Sequence, residues 1–104
     1  MFAEIIESTD LIASYISGQS AESFRTSRMC RDAVAMRLIV IGEAANRLSR
    51  DVWQMLPQMD WQGMANLRHM LAHDYGAASP TILWTIATAE APMLAAAVAS
   101  LADD

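Results

Sequence analysis

Apolar residues recur at helical spacing along almost the whole chain. From Phe2 to about Ile16 they fall at Ile5, Ile6, Leu11, Ile12, Tyr15 and Ile16, the register of a helix with one buried stripe, and Gly18 supplies a stop. Ser20, followed by Glu22 and Ser23, caps a long second helix. The centre of that helix, Ala33 through Ala45, is apolar on nearly every face except at Arg37 and Glu43, so the pattern predicts a helix covered from two sides. Asp51 is placed to cap a short turn ended by Pro57, and Asp60 to cap a helix carrying Trp61, Met64, Leu67 and Leu71. Gly76 opens a loop, and Ser79-Pro80 gives the cap and first-turn proline of a last helix. Pro92 lies inside that helix and has no N–H for the carbonyl of Thr88, which predicts a kink. No strand pattern, repeat or interdomain linker interrupts the series. The expectation is an all-α, four- or five-helix up-and-down bundle forming one domain over residues 1–104.

Composition changes that picture in one respect. Hydrophobic residues make up 54% of the chain and charged residues 18%, more apolar side chain than so small a body needs for its own core, so part of it is expected in a subunit interface. Residues 82–102 are the most apolar stretch, but Glu90, Pro92 and several Thr and Ser interrupt it and Ala outnumbers Leu and Ile, which reads as a buried helix and not a membrane span. The single cysteine, Cys30, cannot form an internal disulfide, and no charged leader with an apolar segment opens the sequence, so a cytoplasmic protein is expected.

The net charge of −5 argues against a protein that coats itself with nucleic acid. Its distribution is uneven. Every basic residue is an arginine, and six of the seven, Arg25, Arg28, Arg31, Arg37, Arg47 and Arg50, lie between residues 25 and 50, opposed there only by Asp32 and Glu43. A local arginine field in an acidic shell grips a short RNA weakly and with salt sensitivity. A solvated face with i,i+4 pairs, Arg28 with Asp32 and Glu43 with Arg47, accounts for most of the same residues.

Candidate chemistry is concentrated in Arg68-His69-Met70-Leu71-Ala72-His73-Asp74-Tyr75, which holds both histidines of the chain. An arginine fork binds phosphate oxygens bidentately and a histidine titrates near neutral pH, a minimal kit for phosphodiester chemistry. On one regular helix, however, five residues at about 100° each place Arg68 and His73 about 140° apart, a poor geometry for a shared ligand. Either the helix ends near His73 or a second subunit completes the site. Arg68 could instead pair structurally with Asp60 or Asp74. His69 and His73 at i,i+4, with Asp74 nearby, would supply two metal ligands, too few for a site without carboxylates or a partner, so no metal is expected. Glu43, a carboxylate in an apolar helix, demands a partner, Arg47 on its own helix or an arginine such as Arg68 on another, and Gly42 beside it permits close helix approach.

Arg68-x4-His73-x-Tyr75 matches the R-x4-H-x-Y signature of the HepT-like branch of the HEPN superfamily, and Ile41-Gly42-Glu43-Ala44-Ala45-Asn46-Arg47-Leu48-Ser49 resembles that family's IGEA segment. Trp61 ahead of the arginine helix and the run from Ser23-Phe24 to Asp32-Ala33-Val34 extend the resemblance over nearly the whole chain. The resemblance implies a homodimer formed through the motif-bearing helices, whose paired motifs face a common cleft and cut RNA without a metal or cofactor. In that reading Arg68 and His73 are catalytic, Arg47 and Arg50 contact RNA, and His69, Asp74 and Glu43 support the site. It further implies a type II/VII-like toxin–antitoxin pair, in which a minimal nucleotidyltransferase antitoxin adds AMP to Tyr75. His69 departs from the small polar residue more usual there, and Gly76-Ala77-Ala78-Ser79 departs from the usual aromatic and acidic continuation. A non-catalytic partner of such a nucleotidyltransferase, presenting it with nucleotide or another polar substrate, is the alternative.

Overall fold

A computed structural model describes residues 2–102, so the outermost residues of the expected 1–104 domain lie outside it. Among the described residues seven α-helical segments follow in order, the last two continuous: α1 (Ala3–Ile16), α2 (Ala21–Thr26), α3 (Arg28–Arg47), α4 (Arg50–Met55), α5 (Trp61–His73) and, after a 3₁₀ turn at Tyr75–Ala77, α6 (Pro80–Thr85) running through a π-helical turn at Ile86–Glu90 into α7 (Ala91–Ala102). Among the described residues there is no strand, and the all-α bundle expected from the periodicity is what forms.

Caps account for most of the boundaries. The Ser20 and Ser23 side chains and backbone amides cap one another reciprocally at the start of α2, with N–H to Oγ distances of 2.9 and 3.1 Å. The single long second helix expected from Ser20 onward is in fact two. Ser27 adopts an extended conformation, ends α2, and its Oγ accepts from the amide of Cys30 at 3.2 Å to start α3. A serine offers the backbone this local alternative to a continuous helix. Ser49, not Asp51, caps α4, accepting from the Val52 amide at 3.3 Å, while Asp51 places a negative charge in the first turn where the helix dipole favours it. Asp60 caps α5 through the Gly63 amide at 2.9 Å, and Ser79 caps α6 ahead of Pro80.

Pro92 acts differently from a simple kink. The ladder widens in the turn before it, where the Ala91 amide bonds the carbonyl of Ile86, five residues back. A π turn of this kind takes up the bond that proline cannot make.

The core is built from Ile5 and Ile12 of α1, Phe24 of α2, Val34, Leu38 and Ile41 of α3, Trp61 and Leu71 of α5, and Leu83, Leu94 and Val98 of the C-terminal helix, all buried. Helix α3 is the central rod, packed on α1 along one flank and on α5 along another. The segment Pro80–Leu101 is long and apolar enough by composition to cross a membrane, but Leu83, Ala87, Ala91, Leu94, Ala97 and Val98 turn one face into the core. Ile82 and Met93 remain exposed on the other.

Candidate functional site

The α3–α5 crossing fixes the site. A Cβ added at Gly42 would overlap the Arg68 Cβ and stand 2.6 Å from the Met64 carbonyl oxygen, so the two backbones meet at a point only glycine can occupy. This contact turns Arg68 inward against α3, where its Nε lies 2.8 Å from Glu43 Oε2. That Nε is buried and its N–H is not aimed along a hydrogen bond, so the contact is chiefly an attraction between charges. Glu43 takes its partner from α5, and neither Asp60 nor Asp74 binds Arg68. The i,i+4 pair of Glu43 with Arg47 does not form; Arg47 reaches Glu4 of α1 at 2.8 Å. Arg28 does pair with Asp32, loosely, at 3.7 Å.

Arg50 sits with its guanidinium carbon 3.9 Å from the centre of the Trp53 ring, a cation–π contact, and Trp53 stacks in turn on Trp61 at 6.5 Å. Arg47 and Arg50 thus both have partners within the chain while remaining exposed to solvent.

His69 and His73 project from α5 in other directions than Arg68, about 100° and about 140° round the helix axis from it. Both are exposed, and their rings lie 4.5 Å apart at an interplanar angle of 46°. Among the described residues neither imidazole makes a hydrogen bond or an ion pair, which leaves their ring nitrogens to solvent or substrate. Within one chain, then, the two histidines come together and Arg68 does not join them. Asp74 is the exposed C-terminal cap of α5, its amide donating to the Met70 carbonyl at 2.8 Å. Among the described residues no three His, Cys, Asp or Glu side chains cluster as metal ligands.

Tyr75 leads away from α5 and back to α3. Its hydroxyl donates to Asp32 Oδ1 at 2.5 Å, across 43 residues of sequence. Burial, and then the hydrogen bond and charge of Asp32, push the phenol above its ordinary pKa, with Arg31 opposing in part. Sequence reasoning did not single out Asp32 as a site residue. The signal available was its position as one of two carboxylates in the arginine-rich segment.

An apolar hollow of about 260 Å³, lined by Leu38, Ile41, Met64, Leu67 and Leu94 with Asp60 and Glu90 at its edge, includes none of the motif residues. Its carboxylates make it a poor receptor for a phosphate.

An all-helical domain whose fifth helix presents an arginine and two histidines, followed by a tethered tyrosine, defines a class of small proteins equipped for phosphodiester chemistry. The family profile described as Ribonuclease HepT-like matches residues 5–101, and the chain belongs to that family. Among similar proteins is one from Methanocaldococcus jannaschii, provisionally named an RNase, 33% identical over 86% of this chain and 74% of its own length. A second protein of that organism, also provisionally named an RNase, is 29% identical over 88% of this chain and 84% of its own. A Thermococcus cleftensis protein provisionally named ribonuclease HepT is 29% identical over 88% of this chain and 83% of its own. No solved structure matches the chain.

Proposed function

We propose that the protein is a homodimeric, metal-independent endoribonuclease, the toxin of a type II/VII-like toxin–antitoxin pair, acting on RNA in the cytoplasm. The observation that carries this reading is the exposed, unpartnered imidazole of His73 on the same helix as Arg68. His73 serves as general base toward the 2′-hydroxyl, and Arg68 of the second subunit neutralises charge on the phosphorane. A second subunit is required because Arg68 and His73 of one chain face different directions on α5.

The surface supports such a pairing. Met29 and Met36 are exposed at 82% and 53%, and with the half-buried Ala33 and Val40 they form an i, i+4, i+7, i+11 stripe along α3 that ends at Glu43. A copy packed on that stripe arrives beside the Glu43–Arg68 pair. Glu43 is then the residue that aims Arg68, and Arg47 and Arg50 extend contact along the RNA backbone.

Tyr75 is the off switch in this reading. A minimal nucleotidyltransferase antitoxin transfers AMP to its phenol, placing bulk and negative charge two residues from His73, where RNA phosphate would sit. The transfer must first release the phenol from Asp32. Expression of wild type, Arg68→Ala and His73→Ala alone, followed by co-expression with a minimal nucleotidyltransferase encoded beside it, tests both parts. Growth arrest by wild type only, insensitive to EDTA in the matching RNA-cleavage assay, is expected. An AMP-sized mass gain absent from Tyr75→Phe is expected on co-expression. Equal harmlessness of all three forms would refute the toxin, and an unmodified Tyr75 would refute the switch.

A further inference from the structure

Two exposed imidazoles held side by side are more than His73 alone needs. We propose that His69 is a second catalytic residue of the same cut, the general acid that protonates the leaving oxygen while His73 takes the proton of the attacking one. The proposal rests on the ribonuclease reading of His73 and adds to it a division of labour between neighbouring rings.

The geometry is that of an i,i+4 pair on the last two turns of α5, with ring centroids 4.5 Å apart and neither ring engaged elsewhere among the described residues. In an in-line displacement the entering and leaving oxygens lie on opposite sides of phosphorus, two P–O bond lengths apart. That span is of the same order as the separation of the rings, so one imidazole can address each oxygen without either moving. Arg68 cannot be the acid, since a guanidinium keeps its proton, and its Nε is already held by Glu43. Asp74 and Tyr75 are poorer candidates. The first caps the end of α5 beyond the two rings, and the phenol of the second is already donating to Asp32.

The step balances as follows. The 2′-oxygen gives its proton to the neutral ring of His73 and bonds to phosphorus, and the P–O5′ bond breaks as the 5′-oxygen takes the proton of a charged His69. The products are a 2′,3′-cyclic phosphate and a 5′-hydroxyl. His73 ends protonated and His69 neutral, and exchange with water resets both.

The test compares an RNA oligonucleotide having an ordinary 5′-oxygen at one cleavage site with its twin bearing a bridging 5′-sulfur, a leaving group that needs no acid. Wild-type dimer, His69→Ala, His69→Phe and His73→Ala are assayed, with thermal melts as controls of folding. Loss of His69 should slow cleavage of the oxygen substrate by roughly 10²- to 10⁴-fold, the usual contribution of a placed acid. On the sulfur substrate His69→Ala should return close to the wild-type rate, and His73→Ala should stay slow on both. His69→Phe keeps a stacking ring but no proton and should match His69→Ala. The proposal is overturned if His69→Phe behaves as wild type, or if His69→Ala is equally impaired on both substrates. A wild-type dimer that cuts neither RNA overturns the ribonuclease reading itself, and the acid with it.

Discussion

Tyr75 and Asp32 show how a single contact ties the end of the motif to the body of the protein. A phenol with a raised pKa favours its neutral form in the fold, so its contribution to stability is complete below the ordinary tyrosine value of about 10 and is lost as pH rises through the higher folded value. In a Tyr15→Phe background Tyr75 is the only phenol, and its absorbance titration should have a midpoint above about 10. Asp32→Asn should bring that midpoint down by removing the nearby charge. A midpoint at or below the ordinary value would contradict the tether. The sequence placed Tyr75 by its motif but gave no sign of this contact, since the two residues are 43 apart and meet only through packing. Arg68 is a similar case. Its ionic character was legible, and Glu43 stood among its possible partners, but the choice of Glu43 over Asp60 or Asp74 depends on where α3 crosses α5.

At the scale of elements, Gly42 sets that crossing. Gly42→Ala would force α5 outward, since the added methyl meets backbone and not the tip of a flexible side chain. Overpacking of this kind costs about 1–3 kcal/mol, to be read as a lowered melting temperature. It should also displace Arg68 and lower RNA cleavage beyond the loss of fold. Unchanged stability would show that the helices are not in the close contact described. Helices themselves were largely legible, because long apolar periodicity and Ser or Asp caps are local signals. The break at Ser27 was not, since Ser20 offered an equally good start and nothing between them contradicts a helix. Pro92 was visible as a disturbance, while its resolution as a π turn depends on how the last helix seats against α1.

The whole molecule measures about 40 × 28 × 19 Å. Its thinnest dimension accommodates only two helices at the usual spacing of about 8–10 Å, so the central rod cannot be enclosed on every side. That is why the apolar excess read from composition appears as an open stripe on α3. Met36→Asp puts a charge in the middle of the stripe and should yield a folded monomer by sedimentation, inactive on RNA although His73 is untouched. A dimer that survives this change would place the interface elsewhere.

In the proposed dimer one chain's Arg68 works with the other's His73. Purified Arg68→Ala and His73→Ala proteins, each inactive, should be mixed under conditions that exchange subunits and assayed on RNA. Because a mixed dimer then contains one site with both groups, cleavage should return on mixing and depend on the exchange. A mixture as inert as its components would contradict the composite site.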